Sequence, residues 1–398
     1  MKILQLANKF PYPPKDGGSI ATLSFSKALS DLGHQVTVMA MNTSKHYTEL
    51  KLIPESLKEK IEFIGVPVNT DIKPLRLIGN YLFTSFPYNA ERFISREFTQ
   101  RLDMLLKERT FDIIQMEGLY LAPYLAQIRE LTNAKVVMRA HNIEHEIWER
   151  SSHQQSGLKK LYLKNLALRI RRMELGYLNR YDAILPITAR DGMILNSLGC
   201  KVPTHTVPTG VDTQELQPDH RRMDYPSVFH IGALDWGPNL EGLQWFFKQV
   251  WPKVLMQLPE LKFYLAGRNA PASLRNAGHD NMVFLGEVDD AYAFMRSKAI
   301  MIVPILSGSG MRIKIIEGMA LEKTIVTTAI GTEGINTENR KNIFIADNPA
   351  EFADTLCELA ANKALFSEIG KNARTFVREN YDTLSITRAC TEFFQGLT

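Results

Sequence analysis

"IMIVPILSGSGMRIKIIEGMALEKTIVTT" (300–328) is the stretch that decides the fold. A short apolar run, Ile300–Val303, opens it, and a second, Thr324–Thr327, closes it. A glycine-bearing loop and a helical pattern lie between them. At roughly 100° per residue, Ile313, Ile316 and Ala320 share one face of that helix, and Lys314 and Glu317 share another. Arg312 projects into the apolar sector. A charge there must leave over the helix start or be buried with a partner. Gly308 and Gly310 stand just before it, where a backbone can approach a ligand closely, and Ser309 is a candidate helix cap. A glycine-preceded helix start with Arg312 and Lys314 beside it suits an anion. The alternative is a capped core helix with solvated charges, and this segment alone leaves both open.

The same strand–helix–strand rhythm recurs along the chain. Strand candidates in the first half are Ile3–Ala7, Val36–Ala40, Ile61–Val66, Ile113–Met116, Val136–Arg139 and Ala183–Ile187. In the second half they are Ser227–Ile231, Lys262–Ala266, Val283–Leu285, Ile300–Val303, Thr324–Thr327 and Asn342–Ala346. Helical patterns such as Ile20–Leu32, Phe93–Lys107, Asn239–Gln257 and Ala350–Ala361 fall between them. This alternation predicts α/β architecture, with parallel sheets covered by helices on both faces. With 398 residues, two domains are expected. The polar, proline-bearing stretch 206–226 reads as the linker between a first domain (1–205) and a second (227–375). Ligands of open parallel sheets bind beyond the carboxyl ends of the strands, so two facing domains imply a cleft between them.

Composition narrows the function classes. A net charge of +4 is too small to argue for a nucleic-acid partner. Cys200, Cys357 and Cys390 are scattered and match no metal or redox spacing, which favours free thiols in a reducing, cytoplasmic compartment. "MKILQLANKF" (1–10) reads as a buried strand rather than a signal peptide, and no apolar run reaches the ~18 residues of a spanning helix.

Three other segments carry chemistry. In "PYPPKDGGSIATLSFSKALSDLGHQVTVMA" (11–40), Gly17 and Gly18 precede a helix that Ser19 can cap, a geometry suited to a phosphate or sugar. The spacing is not G-x-G-x-x-G, so no nicotinamide cofactor is expected. "VVMRAHNIEHEIWER" (136–150) places Arg139, His141, Asn142, Glu144 and His145 directly after a strand, and a neutral imidazole there can bond a sugar hydroxyl or phosphate. The two histidines and Glu144 lack a third ligand at a recognisable spacing, so no metal is expected. In "FHIGALDWGPNLEGLQWF" (229–246), Gly232 lets a loop pass close to a ligand before a helix opening near Pro238. Each of the three is also compatible with a plain strand-to-helix turn or a polar loop. Finally, "LKKLYLKNLALRIRRMELGYLNR" (158–180) carries seven Lys and Arg against one Glu. It is either a solvated face or a surface for anionic lipid.

Taken in order, "GGSIATLSFSKALSDLGHQVTV" (17–38), "AHNIEH" (140–145), "VPTGVD" (207–212), "IGALDWGPN" (231–239), "GSGMRIKIIEGMA" (308–320) and "GTEGI" (331–335) resemble glycosyltransferase family 4 over essentially the whole chain. The resemblance implies a GT-B fold, two doubly wound Rossmann-like domains facing across a cleft. The first would be the acceptor side and the second would bind the nucleotide sugar, with 376–398 forming a C-terminal helix that packs back on the first. It implies a retaining, hexosyltransferase-like glycosyltransferase that moves a sugar from a nucleotide diphosphate sugar to a hydroxyl acceptor, in surface polysaccharide or lipid-linked saccharide synthesis. A UDP- or GDP-sugar would be its substrate, with no resident cofactor. Carried onto this chain, Arg312 and Lys314 would hold the donor diphosphate and Glu317 the ribose. Gly17 and Gly18 would close over the donor, and His141 would contact the transferred sugar. Gly232, Ser309, Gly310 and Glu333 would lie around the donor. In many relatives a glutamate stands where this chain has Ser309, and an arginine and a lysine stand at the places of Ala233 and roughly Asn239. The phosphate charge would then fall to Arg312 and Lys314. No D-x-D occurs, so a metal-independent reaction is expected. The location would be cytoplasmic, with peripheral contact at the inner membrane face. A nucleotide-sugar epimerase on the same fold, or a non-catalytic saccharide-binding descendant, is the alternative.

Overall fold

The computed structural model describes residues 1–14, 16–275, 278–308 and 310–398, which form two compact units. Met1–Thr209 and Thr383–Thr398 make the first, and Gly210–Asp382 the second. Ser309 lies outside the described residues.

The first sheet holds β1 (Lys2–Ala7), β2 (Gln35–Thr43), β3 (Ile61–Val68), β4 (Ile113–Glu117), β5 (Lys135–Ala140) and β6 (Ala183–Pro186) in the order β3-β2-β1-β4-β5-β6. All its pairings are parallel. The second holds β7 (Asp224–Ile231), β8 (Phe263–Ala266), β9 (Met282–Gly286), β10 (Lys298–Val303), β11 (Thr324–Thr327) and β12 (Phe344–Ile345), also parallel, in the order β12-β11-β10-β7-β8-β9. Counted from each unit's own first strand, the two orders are the same doubly wound 3-2-1-4-5-6. The continuous apolar runs follow from burial on both faces. Along β1, Leu4 and Leu6 enter one core and Ile3 and Ala7 the other. Along β10, Ile300 and Ile302 face one way, and Met301 and Val303 the other.

Helices that position the chemistry are α1 (Gly17–Asp31), α2 (Pro74–Phe83), α3 (Glu144–His153), α4 (Gly157–Tyr177), α5 (Gly237–Trp245), α6 (Ala291–Ser297), α7 (Ile313–Ala320) and α8 (Thr383–Gln395). The single helix expected over Asn239–Gln257 is three pieces: α5, a π-helical turn at Phe246–Val250, and a helix from Trp251. Pro252 lacks an N–H, which breaks regular hydrogen bonding there.

The stretch expected as linker is anchored. Val211 and Leu216 are buried in the core of the second unit, and Arg374 donates to the carbonyls of Thr213 and Leu216. Residues 210–226 therefore fold with the second unit. A boundary at 376 falls inside the helix Lys363–Asn380, because Val377 and Tyr381 fill that same core. The chain passes to the first unit only at Thr383, and α8 packs on α1 within it.

Candidate active site

In the second unit, the strand order reverses between β7 and β10, and that switch point is where open α/β sheets bind ligands. Gly232 leaves the end of β7, and the loop 304–312 leaves the end of β10. That loop bends through Gly308 (φ 105°) and Gly310 (φ 84°), left-handed conformations that favour glycine. The helix it feeds, α7, starts at Ile313. Its cap position is Arg312, with no side-chain cap. The expected cap, Ser309, lies outside the described residues.

Arg312 is 5% exposed. Its Nη1 donates to the Gly310 carbonyl, and its guanidinium lies 5.5 Å from the Trp236 ring centroid. The charge on the apolar sector is therefore folded back over the helix start. Lys314 turns towards β7: its Nζ donates to Asn239 Oδ1 at 2.8 Å and approaches the Ile231 carbonyl at 3.4 Å. Burial, then repulsion from Arg312, pushes the Lys314 amine down to about 7, against the pull of Glu317. Asn239 in turn donates to the Ala233 carbonyl at 2.8 Å.

These groups close around Gly232. A Cβ on that glycine would meet Lys314 Nζ at 2.9 Å, Asn239 Nδ2 at 3.0 Å and His230 Nε2 at 3.6 Å. His230 is fully buried, and its Nδ1 donates to the Ile302 carbonyl at 3.0 Å. Burial and the Lys314 charge hold it well below the ordinary imidazole range, hence neutral, and Nε2 has no hydrogen-bond partner among the described residues. One turn into α7, Glu317 accepts from the Tyr292 hydroxyl of α6 at 2.8 Å. Burial raises the Glu317 carboxyl, partly offset by Tyr292 and Lys314. Glu333 follows a short turn after β11, beyond the same ends of the sheet. The second unit thus brings Gly232, Gly310, Arg312, Lys314 and Glu317 to one end of one sheet. His230 and Tyr292 join them without having been expected from sequence. A histidine at the last turn of a buried strand was the only trace of the first.

In the first unit, Gly17 and Gly18 are the first residues of α1 and not its approach. Asp16, rather than Ser19, caps the helix by accepting from the Ser19 N–H at 3.0 Å. Burial opposes the charge on Asp16, but the Lys9 ammonium holds its carboxyl down at about 2. A Cβ on Gly18 would meet Lys9 Nζ at 3.0 Å.

His141, just past β5, bonds Glu117 at the end of β4 through Nε2–Oε2, 2.6 Å. Glu117 also accepts from Thr22 of α1 at 3.1 Å and from Gln115, and the Arg139 guanidinium stands 4.0 Å away. Burial works against the Glu117 charge, yet His141, Arg139 and Gln115 hold its carboxyl down at about 2. A charged carboxylate accepts only, so His141 Nε2 carries the proton and the imidazole plane is fixed. Glu117 was not singled out in the sequence; its signal is an acid at the carboxyl end of an apolar run. His145 takes a different role. Its ring and backbone N–H bond Glu174 of α4, as does the Glu144 N–H, so Glu174 caps α3. Burial, with the nearby Glu174 charge, pushes the Glu144 carboxyl up to about 7.

The model "Glycosyltransferase Family 4" matches residues 15–215, and "Glycosyl transferases group 1" matches 225–362. An uncharacterized 44.6 kDa protein in the cps region of Klebsiella pneumoniae is 25% identical over 97% of each chain. An uncharacterized glycosyltransferase of Methanocaldococcus jannaschii is 27% identical over 26% of this chain and 30% of its own length. Sucrose-phosphate synthase from Thermosynechococcus elongatus superposes with a TM-score of 0.74 at 16% identity, over 100% of this chain and 99% of that one. Anabaena HepE in complex with UDP gives 0.67 at 14%, over the whole of both chains. At these identities the structures speak for the GT-B fold alone. With models matching each half in turn, the chain belongs to glycosyltransferase family 4, among the group 1 glycosyl transferases.

Proposed function

We propose that the protein is a retaining glycosyltransferase that moves a sugar from a UDP- or GDP-sugar to a hydroxyl acceptor in surface polysaccharide or lipid-linked saccharide synthesis. The observation that carries this reading is the convergence of Lys314, Asn239 and His230 nitrogens on Gly232 at the β7–β10 switch point, beside Arg312. Such a set suits a diphosphate: two cationic side chains and a helix start meet the charge that develops on the leaving group. Glu317, one turn on, is suited to the ribose hydroxyls, with Tyr292 orienting its carboxyl. Gly310 and Glu333, at the same end of the second sheet, border the donor. HepE in complex with UDP and with UDP-glucose supports the donor class by analogy, and the cps-region relative supports a surface polysaccharide.

In the proposed reaction the bond from the anomeric carbon to the diphosphate breaks, and the acceptor oxygen bonds the same face of that carbon. The acceptor's proton passes to the departing diphosphate, held by Arg312 and Lys314. His141, fixed by Glu117, positions the sugar. The test is to incubate the protein with UDP- and GDP-hexoses and an alcohol acceptor and to read the product anomer by NMR. Retained configuration is expected. An inverted product, or epimerised donor without transfer, overturns the reading.

A further inference from the structure

The exit loop of β7, residues 232–236, is braced on both sides. On the side of β8, Leu234 donates its N–H to the Arg268 carbonyl at 3.0 Å, and Asn269 Nδ2 donates to the Asp235 carboxylate at 3.1 Å. On the side of β10, α5 lies against the loop 304–312. A Cβ on Gly242 would stand 1.5 Å from the Pro304 carbonyl oxygen, and one on Gly308 would stand 3.3 Å from Pro238 Cγ. Between those two contacts the Ser307 hydroxyl donates to Glu241 of α5. The backbone of Trp236 is locked as well. Its carbonyl accepts from the N–H groups of Asn239 and Leu240, the first bonds of α5.

What this braced loop presents is an indole. Trp236 is 39% exposed, whereas Trp251 fills the core at 2%. The Arg312 guanidinium covers one face of the Trp236 ring, so the exposed part is the rest of the indole. Asp235 and Glu241, both exposed carboxylates, flank it on the loop and on α5. With the ribose at Glu317 and the diphosphate at Arg312 and Lys314, the donor runs towards the start of α7. Its sugar therefore lies beyond Arg312, at the loop that Trp236 borders.

We propose that Trp236 is the platform on which the transferred sugar stacks, and that it selects an uncharged sugar. The C–H face of a pyranose is apolar and carries partial positive charge, which complements the negative π face of an indole. The rigid backbone presents that face at little cost in ordering. The Asp235 and Glu241 carboxylates repel a uronate at the same place. Arg312, seated against the ring, meets the diphosphate, so one pair of side chains spans the bond that breaks. The platform rests on the diphosphate site proposed at Arg312 and Lys314.

The test is calorimetry on the full chain with UDP, UDP-glucose, UDP-N-acetylglucosamine and UDP-glucuronate, and with GDP and GDP-mannose. The quantity read is the ratio of the Kd of the bare diphosphate to that of its sugar conjugate. In the native protein at least one uncharged sugar should raise this ratio above one, and glucuronate should not. In Trp236→Ala the ratio should fall by roughly tenfold, whatever the lost ring does to both ligands through Arg312. Trp236→Phe, which keeps a π face, should restore most of it. An unchanged thermal midpoint confirms that both variants fold. A Trp236→Ala protein that loses affinity equally for the diphosphate and its sugar conjugate overturns the proposal, because the indole then acts only by holding Arg312. A ratio that no uncharged sugar raises, or that glucuronate raises most, overturns it too. A chain that binds neither UDP nor GDP refutes the diphosphate site itself, and the platform with it.

Discussion

Lys314 Nζ donates to Asn239 Oδ1 at 2.8 Å, joining the helix that follows β10 to the helix that follows β7. The lone cationic amine of this pair is buried against another cation, Arg312, and sits at about 7 instead of the lysine value of 10.5. The site is thus poised to gain charge when an anion arrives.

Nucleotide binding should therefore take up protons. At pH 8 the free amine is mostly neutral, and a bound diphosphate favours its charged form, so up to about one proton is absorbed per UDP or GDP. At pH 6 the amine is already charged and uptake should vanish. Titration calorimetry in buffers of different ionisation enthalpy reads this directly. Stability follows the same sign. The unfolded lysine binds its proton up to 10.5 and the folded one only to about 7, so this residue's penalty is full below pH 7 and is relieved as pH rises between the two values. Lys314→Met should remove both effects.

Arg312→Ala should weaken UDP or GDP binding by roughly 1.5–3 kcal/mol, the scale of a charged hydrogen bond. Unchanged affinity in calorimetry would place the diphosphate elsewhere.

Glu117→Gln should leave the donor affinity intact but slow transfer by roughly 10- to 100-fold, since His141 loses the carboxylate that orients it. A change in KM alone would argue for a purely structural role. The acid limb of stability gives a second readout. Glu117 is held at about 2 against an ordinary 4.5, so its stabilisation is complete above pH 4.5 and is lost as pH falls towards 2. The unfolding free energy of Glu117→Gln should fall less steeply across that window.

Transfer should continue in excess chelator, because Arg312, Lys314 and the start of α7 supply positive charge to the leaving group. Loss of activity that magnesium or manganese restores would refute this.

The sequence by itself determined the alternation of elements and the family. All twelve strands among the described residues fall where short runs of three to six residues were expected, because a strand buried on both faces of a parallel sheet must be apolar at nearly every position. The glycines and cations at the strand-to-helix turn before α7 were legible too, since they are local features of the chain. Tertiary structure decided which side chains meet. Lys314 finds Asn239 and His230 across 75 and more residues of chain, and His141 finds Glu117 through neighbouring strands. No local spacing encodes such pairs; they exist only once strand order is set. The same holds for α2. Its apolar spacing does not reveal which side is covered: in the structure Leu75, Ile78 and Leu82 are exposed, while Asn80, which accepts from Arg169, is buried.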